Sequence, residues 1–221
     1  MGRVEMMKPG KSLPMKTPHV VLLGDSIFDN ARYVLVGPAV IDQLRECLPL
    51  GWRATLVAND GDVVADLARQ IPLIPSDATH LVVSIGGNDA LQSQNVMSLP
   101  ARSVIDALGH LAEVRRLFQR AYHTMLGELL QLRLKTAVCT IYDAVPGLTP
   151  ELQTALAIFN DTITREATAA VVPVIDLRQA CVAPSDFSEI SPIEPSVAGG
   201  WKIAQAIGCW VRTPQTDECH R

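Results

Sequence analysis

The stretch Val20-Val21-Leu22-Leu23-Gly24-Asp25-Ser26-Ile27-Phe28-Asp29-Asn30 decides how the rest of the chain is read. Four apolar residues run without interruption into Gly24-Asp25-Ser26. A run that stops abruptly at Gly and small polar residues is what a parallel strand, buried on both faces, looks like where it meets its loop. In open α/β sheets, ligands and chemistry collect just beyond the carboxyl ends of such strands. Ser26 therefore stands where a nucleophile is useful. Gly, Asp and Ser are equally the residues of an ordinary turn, so this stretch alone leaves both readings open.

Working outward, strands and helices alternate. Pro38 suits a first helical turn, and Val40, Ile41, Leu44 and Leu48 make a helical stripe behind it. Residues 54–58 form a second strand that ends at Asn59-Asp60-Gly61-Asp62, and Val63, Val64, Leu67 and Ile71 fall on one helical face. Residues 80–85 are a third strand, broken at Gly86-Gly87-Asn88-Asp89. Apolar positions stepping by three and four predict a long helix over 103–132. Residues 136–141 are a fourth strand, and Thr149-Pro150-Glu151 opens another helix with a cap, a first-turn proline and a first-turn acid. A fifth strand is read over 171–176, with Pro173 pointing to an edge position. A loop over 183–196 and a final helix over 201–211 complete the series. Five strands at βαβ spacing imply a mostly parallel sheet covered on both faces. The expected organisation is a disordered leader over 1–17, a single domain over 18–212 and a tail over 213–221.

The bulk properties narrow the function classes. The 221 residues are 48% hydrophobic and 19% charged, with a net charge of −4, which fits one globular domain with a generous core. Neither that charge nor the 5% aromatic content suits a nucleic-acid surface. Five dispersed cysteines without a CxxC pair fit a reducing compartment, so a cytoplasmic setting is expected. No run is long enough to insert in a membrane, and no His/Cys spacing supports a metal site.

Three strand ends carry polar clusters on the same sheet edge: Gly24-Asp25-Ser26, Asn59-Asp60-Gly61-Asp62 and Gly86-Gly87-Asn88-Asp89. A serine attacking an acyl carbon needs preorganised donors where the oxyanion grows. The backbone N–H groups of Ser26 and Gly61 and the side-chain amide of Asn88 are donors of the right type. In this order the three clusters resemble the blocks of the SGNH, or GDSL-type, hydrolase family, over about 18–211. The resemblance implies a three-layer α/β/α, flavodoxin-like fold with a five-stranded parallel sheet. It implies Ser26 as nucleophile and Ser26, Gly61 and Asn88 as oxyanion donors. The activity it implies is cofactor-free hydrolysis of esters of small acyl groups, lipids or decorated sugars, with a small-molecule ester as partner.

The fourth block departs from the family. Where Asp-x-x-His is expected before the last helix, this chain has Ser191-Pro192-Ile193-Glu194, so the base histidine is replaced by Glu194. An ordinary serine hydroxyl needs an adjacent base, and an unperturbed glutamate is a weak one. Burial against Ile193 and Pro195 would raise its pKa towards a useful range. Glu194 is equally readable as a ligand for a substrate hydroxyl, a helix cap or a loop acid, and Asp186 and Glu189 are candidates for the same role. His19, His80, His110 and His123 fall at the wrong sheet end or inside a helix, and His220 lies in the tail. Three functions follow: a serine esterase, a binding protein that keeps the pocket without the base, and an anion-binding flavodoxin-like domain. The last has no P-loop or G-x-G-x-x-G sequence to support it.

Overall fold

The computed structural model describes residues 17–213. Five strands, β1 (His19–Gly24), β2 (Arg53–Leu56), β3 (His80–Ser84), β4 (Lys135–Cys139) and β5 (Val174–Ile175), form one sheet in the order β2-β1-β3-β4-β5. Every pairing is parallel. The chain leaves β1 for one edge and then returns to β3 on its other side. That reversal opens a crevice beyond the carboxyl ends of β1 and β3, the place where this topology binds ligands.

Successive side chains of a strand point to opposite faces. Val20 and Leu22 join the layer built with α1 (Val40–Cys47) and α7 (Val197–Arg212), whereas Val21 and Leu23 join the layer built with α4 (Val104–Gln131) and α5 (Pro150–Ala169). All four are fully buried, which is why the sequence shows an unbroken apolar run there and not an alternation. The expected three-layer α/β/α arrangement with five parallel strands is what forms.

Several boundaries differ from the sequence reading, each for a local reason. The segment after β2 is broken into a 3-10 turn, the short α2 (Leu67–Gln70) and a second 3-10 turn containing Pro72, whose ring prevents a continuous helix. β5 is two residues long because Val171 sits at φ 55°, in a turn that shortens the strand from its amino end. It is nevertheless an edge strand, as Pro173 indicates. Gly86-Gly87-Asn88-Asp89 is not a free loop: Gly87–Gln92 is a helix, α3. The last helix starts at Val197, not 201, with the Ser196 side chain accepting from Gly199 N. Gly199 and Gly200 lie inside it because the helix packs so closely that added Cβ atoms would sit 2.1 Å from Asp186 O and 2.2 Å from Gln43 Oε1.

The leader over 1–16 and the tail beyond 213 lie outside the described residues. Among the described residues no helix is long and apolar enough to cross a membrane, and no group of three or more metal-ligating side chains gathers.

Candidate active site

The site begins with a glycine that cannot be replaced. Gly24 ends β1 at φ 134°, and a Cβ there would lie 1.8 Å from Ser84 O of the neighbouring strand. This close approach lets Asp25 N donate to Ser84 O at 3.2 Å and turns the chain sharply, with Phe28 N and Asp29 N both donating to Asp25 O. Ser26 is at the apex of that turn, 6% exposed. Gln70 locks the turn from behind. Its Oε1 accepts from Gly24 N at 2.9 Å, and its Nε2 donates to Gly24 O at 2.7 Å and to Asp62 Oδ2 at 2.8 Å.

Ser26 Oγ donates to Glu194 Oε1 at 3.0 Å. Glu194 therefore reaches the serine directly, across 168 residues of sequence. Burial, only partly offset by the Ser26 hydrogen bond and reinforced by the charge of Asp60, pushes the Glu194 carboxyl up from 4.5 to about 7. Its Oε2 is buried without a partner among the described residues. The loop that carries it is held on both sides. Tyr142 Oη donates to the carbonyl of Ile193, and Asn30 Nδ2 donates to the carbonyl of Pro195 at 3.1 Å. Asn30 is itself fixed, accepting from Val40 N at 2.9 Å. These two clamps fix the backbone on either side of Glu194.

Asn88 lies in the first turn of α3, on the wall shared with Ser26 and Glu194. Its Nδ2 donates to Asp62 O at 3.0 Å, which spends one of the two amide hydrogens and leaves the other for a ligand. Gly61 is at φ 86° in the exposed loop that ends at Asp62 and is not among the residues lining the Ser26 cavity. Among the described residues neither the Ser26 N–H nor the Gly61 N–H has an acceptor. Asp25 is buried between the two carboxylates Glu194 and Asp89. Burial first, then those charges, raise it to about 8, and its Oδ1 accepts from Ile27 N at 3.1 Å. Its carboxyl braces the serine turn through that bond.

The other candidates take structural roles. Asp186 is paired with Lys202 at 2.7 Å and accepts from Val182 N and Ala183 N, so it is not available to Ser26. Asp89 accepts from Val64 N. His19 contacts Thr55 and Asp77, and His80 packs between Trp52 and Trp210, both at the amino ends of the strands. His123 pairs with Glu166 on the helical surface, and His110 faces Pro100 O. His220 lies outside the described residues.

Ser26, Asn88 and Glu194 form the polar end of a cavity of about 150 Å³. Its walls come from α4 (Leu111, Val114), α5 (Leu152, Leu156) and the loop after β4 (Val145, Leu148). Sequence reasoning missed this cavity, the Gln70 brace and the Tyr142 and Asn30 clamps. Two of these carried a signal: Tyr142 as a polar-tipped aromatic immediately after a strand end, and Asn30 as a polar residue four positions beyond Ser26, readable as lining the pocket mouth.

A model of the GDSL-like lipase/acylhydrolase family matches residues 22–199. No curated protein matches the sequence. Among solved structures, a lipase from a goat rumen metagenome is similar at TM-score 0.69 and 19% identity, covering 87% of this chain and 97% of that one. A lipase/acylhydrolase from Enterococcus faecalis matches at TM-score 0.63 and 22% identity, over 90% of this chain and 98% of that one. An acetyl xylan esterase matches at TM-score 0.67 and 16% identity, over 87% and 99%. At such identities the likeness speaks to the fold.

Proposed function

The chain belongs to the GDSL-like lipase/acylhydrolase family, and from that premise we propose that it is a serine ester hydrolase that uses Glu194 in place of histidine. The observation that carries this reading is the 3.0 Å hydrogen bond from Ser26 Oγ to a carboxylate pushed up to about 7. A base is most effective when its pKa lies near the working pH, and burial brings this glutamate there. The same bond weighs against an idle binding fold, because the serine is not left without a base.

In this reading Ser26 Oγ attacks the ester carbonyl carbon while its proton passes to Glu194 Oε1. The carbonyl oxygen becomes an oxyanion, stabilised by the Ser26 N–H and the free hydrogen of Asn88 Nδ2, with the Gly61 N–H as a third donor from the loop above. The C–O bond to the alcohol then breaks, and protonated Glu194 gives its proton to the departing alkoxide. Glu194, again a carboxylate, takes a proton from water as that water attacks the acyl-serine. On collapse the bond from the acyl carbon to Oγ breaks, Glu194 returns its proton to Ser26 Oγ, and a carboxylic acid is released. No cofactor enters this scheme. A cytoplasmic setting is part of the proposal, resting on five dispersed cysteines without a CxxC pair in the sequence.

The test is labelling with a fluorophosphonate probe alongside hydrolysis of p-nitrophenyl acetate. Wild type is expected to label and turn over, and Ser26→Ala to do neither while keeping its fold by circular dichroism. Wild type that neither labels nor hydrolyses between pH 6 and 9 would sink the enzyme reading.

A further inference from the structure

Resting on the esterase reading, we infer that the substrate is an ester of a linear, medium-chain fatty acid, whose acyl chain fills the cavity and continues along an exposed stripe of α4. Beyond the polar end, where Asp25 lies beside Ser26, Asn88 and Glu194, the side chains lining the cavity are aliphatic or aromatic except for Ser93 and Gln94. Such a wall offers a sugar's hydroxyls almost nothing to bond and suits a hydrocarbon. An apolar cavity of about 150 Å³ holds a group the size of benzene, so about six carbons fit inside.

The apolar surface does not stop at the cavity. Leu111, which lines it, is followed towards the helix start by Leu108 and Val104, spaced three and four residues apart and so on one face of α4. Leu108 is 52% and Val104 78% exposed. Leu91 and Met97, both lining the cavity and both exposed, flank the same opening. From Leu111 to Val104 the helix rises roughly 10 Å at 1.5 Å per residue, enough for several more methylenes. Cavity and stripe meet at Leu111, so an occupant that starts at Ser26 and fills the cavity is led onto the stripe by helical spacing.

That occupant is the acyl portion and not the alcohol. After acylation the alcohol leaves and water must take its place beside Glu194, so the leaving-group side must open to solvent. The acyl group stays attached to Ser26 through deacylation and is the part that can remain in the dry cavity.

The experiment compares kcat/KM for p-nitrophenyl esters from acetate to dodecanoate with that for a series of acetate esters of lengthening alcohols. Burial of each methylene is worth about a three- to fourfold gain. The acyl series should therefore rise steeply, about 100-fold from acetate to hexanoate, and then more gently to about decanoate; the alcohol series should stay flat. Ala155→Phe, which narrows the cavity, should lower the hexanoate-to-acetate ratio at least tenfold, and Leu108→Asp should lower the decanoate-to-hexanoate ratio. A flat acyl series in an enzyme that hydrolyses acetate would overturn the inference and leave the esterase reading standing. Dependence on the alcohol chain would overturn it as well. If light scattering shows a dimer that Leu108→Asp dissociates without changing either ratio, the stripe is covered by a second copy and the inference fails. Absence of all hydrolysis and labelling would sink the esterase reading instead. Calorimetric titration of Ser26→Ala with decanoate then still decides: saturable binding weakened by Ala155→Phe supports the cavity's role, and no binding refutes it.

Discussion

Glu194→Gln is expected to move activity and stability in opposite directions. The amide keeps the size of the carboxylate and an oxygen to accept from Ser26 Oγ, but it cannot take a proton. Loss of a general base costs about 10²- to 10⁴-fold, and the ascending limb of the wild-type pH–rate profile near pH 7 should vanish with it. Stability is worked from the same carboxyl. Its pKa rises from 4.5 to about 7 on folding because burial disfavours the charge. The folded state therefore binds the proton more tightly than the unfolded chain. Wild type loses stability as pH climbs from about 4.5 through 7, on the order of 3 kcal/mol for a shift of this size. Glutamine carries no such penalty. Its own cost, an amide hydrogen placed where Oε2 has no partner, does not change with pH. The stability of the variant relative to wild type should thus improve by about 3 kcal/mol between pH 4 and pH 8.5, about 6–12 °C in relative Tm. Thermal melts across pH and kcat/KM across pH measure the two effects on one pair of proteins. A variant with wild-type kcat/KM and an intact limb near pH 7 would refute Glu194 as base. A relative stability that does not change with pH would refute the buried-charge account.

Four further outcomes are expected. Asn88→Ala should lower kcat by about 10²- to 10³-fold with a smaller change in KM, since it removes an oxyanion donor; steady-state kinetics on p-nitrophenyl esters read it. Asp25→Asn should flatten the dependence of Tm on pH. Asp25 has a folded pKa of about 8 against 3.8 unfolded, so its contribution is fully present below about pH 4 and lost as pH rises through 8. Gly24→Ala should cost more than about 3 kcal/mol or abolish soluble expression, because a Cβ would lie 1.8 Å from Ser84 O at φ 134°. Gly109→Ala, in α4 with nothing within 4 Å of the added atom, should stabilise by about 0.5–1 kcal/mol; urea denaturation separates the two glycines.

The sheet was legible because burial on both faces writes itself into sequence. Val20–Leu23 and Leu81–Val83 are all fully buried, and no soluble element other than a covered parallel strand tolerates such short, bounded runs. The helix boundaries were less legible where packing overrode local signals. The last helix was expected from 201, yet Gly199 and Gly200 lie inside α7, because the helix packs against Asp186 and Gln43 too closely for side chains there. Gly86-Gly87-Asn88-Asp89 read as a turn and proved to be the start of α3, which presents Asn88 to the cavity. The Ser26, Gly61 and Asn88 clusters could be placed on one sheet edge from their order, since parallel strands bring their carboxyl ends together, and of the three the structure sets Ser26 and Asn88 on one cavity wall.

What activates Ser26 is a different kind of question. The sequence by itself determined that a serine sits at a strand end, that two donor-bearing loops share its edge, and that the usual base is missing. Residue type could not say whether Glu194 is a loop acid or a base, because that depends on a distance across 168 residues and on how much water surrounds the carboxyl. Only the tertiary structure supplies that distance and that burial. Tyr142 and Asn30 hold the Glu194 loop against the serine turn, the surrounding apolar walls exclude solvent, and desolvation brings the pKa of a common glutamate to about 7.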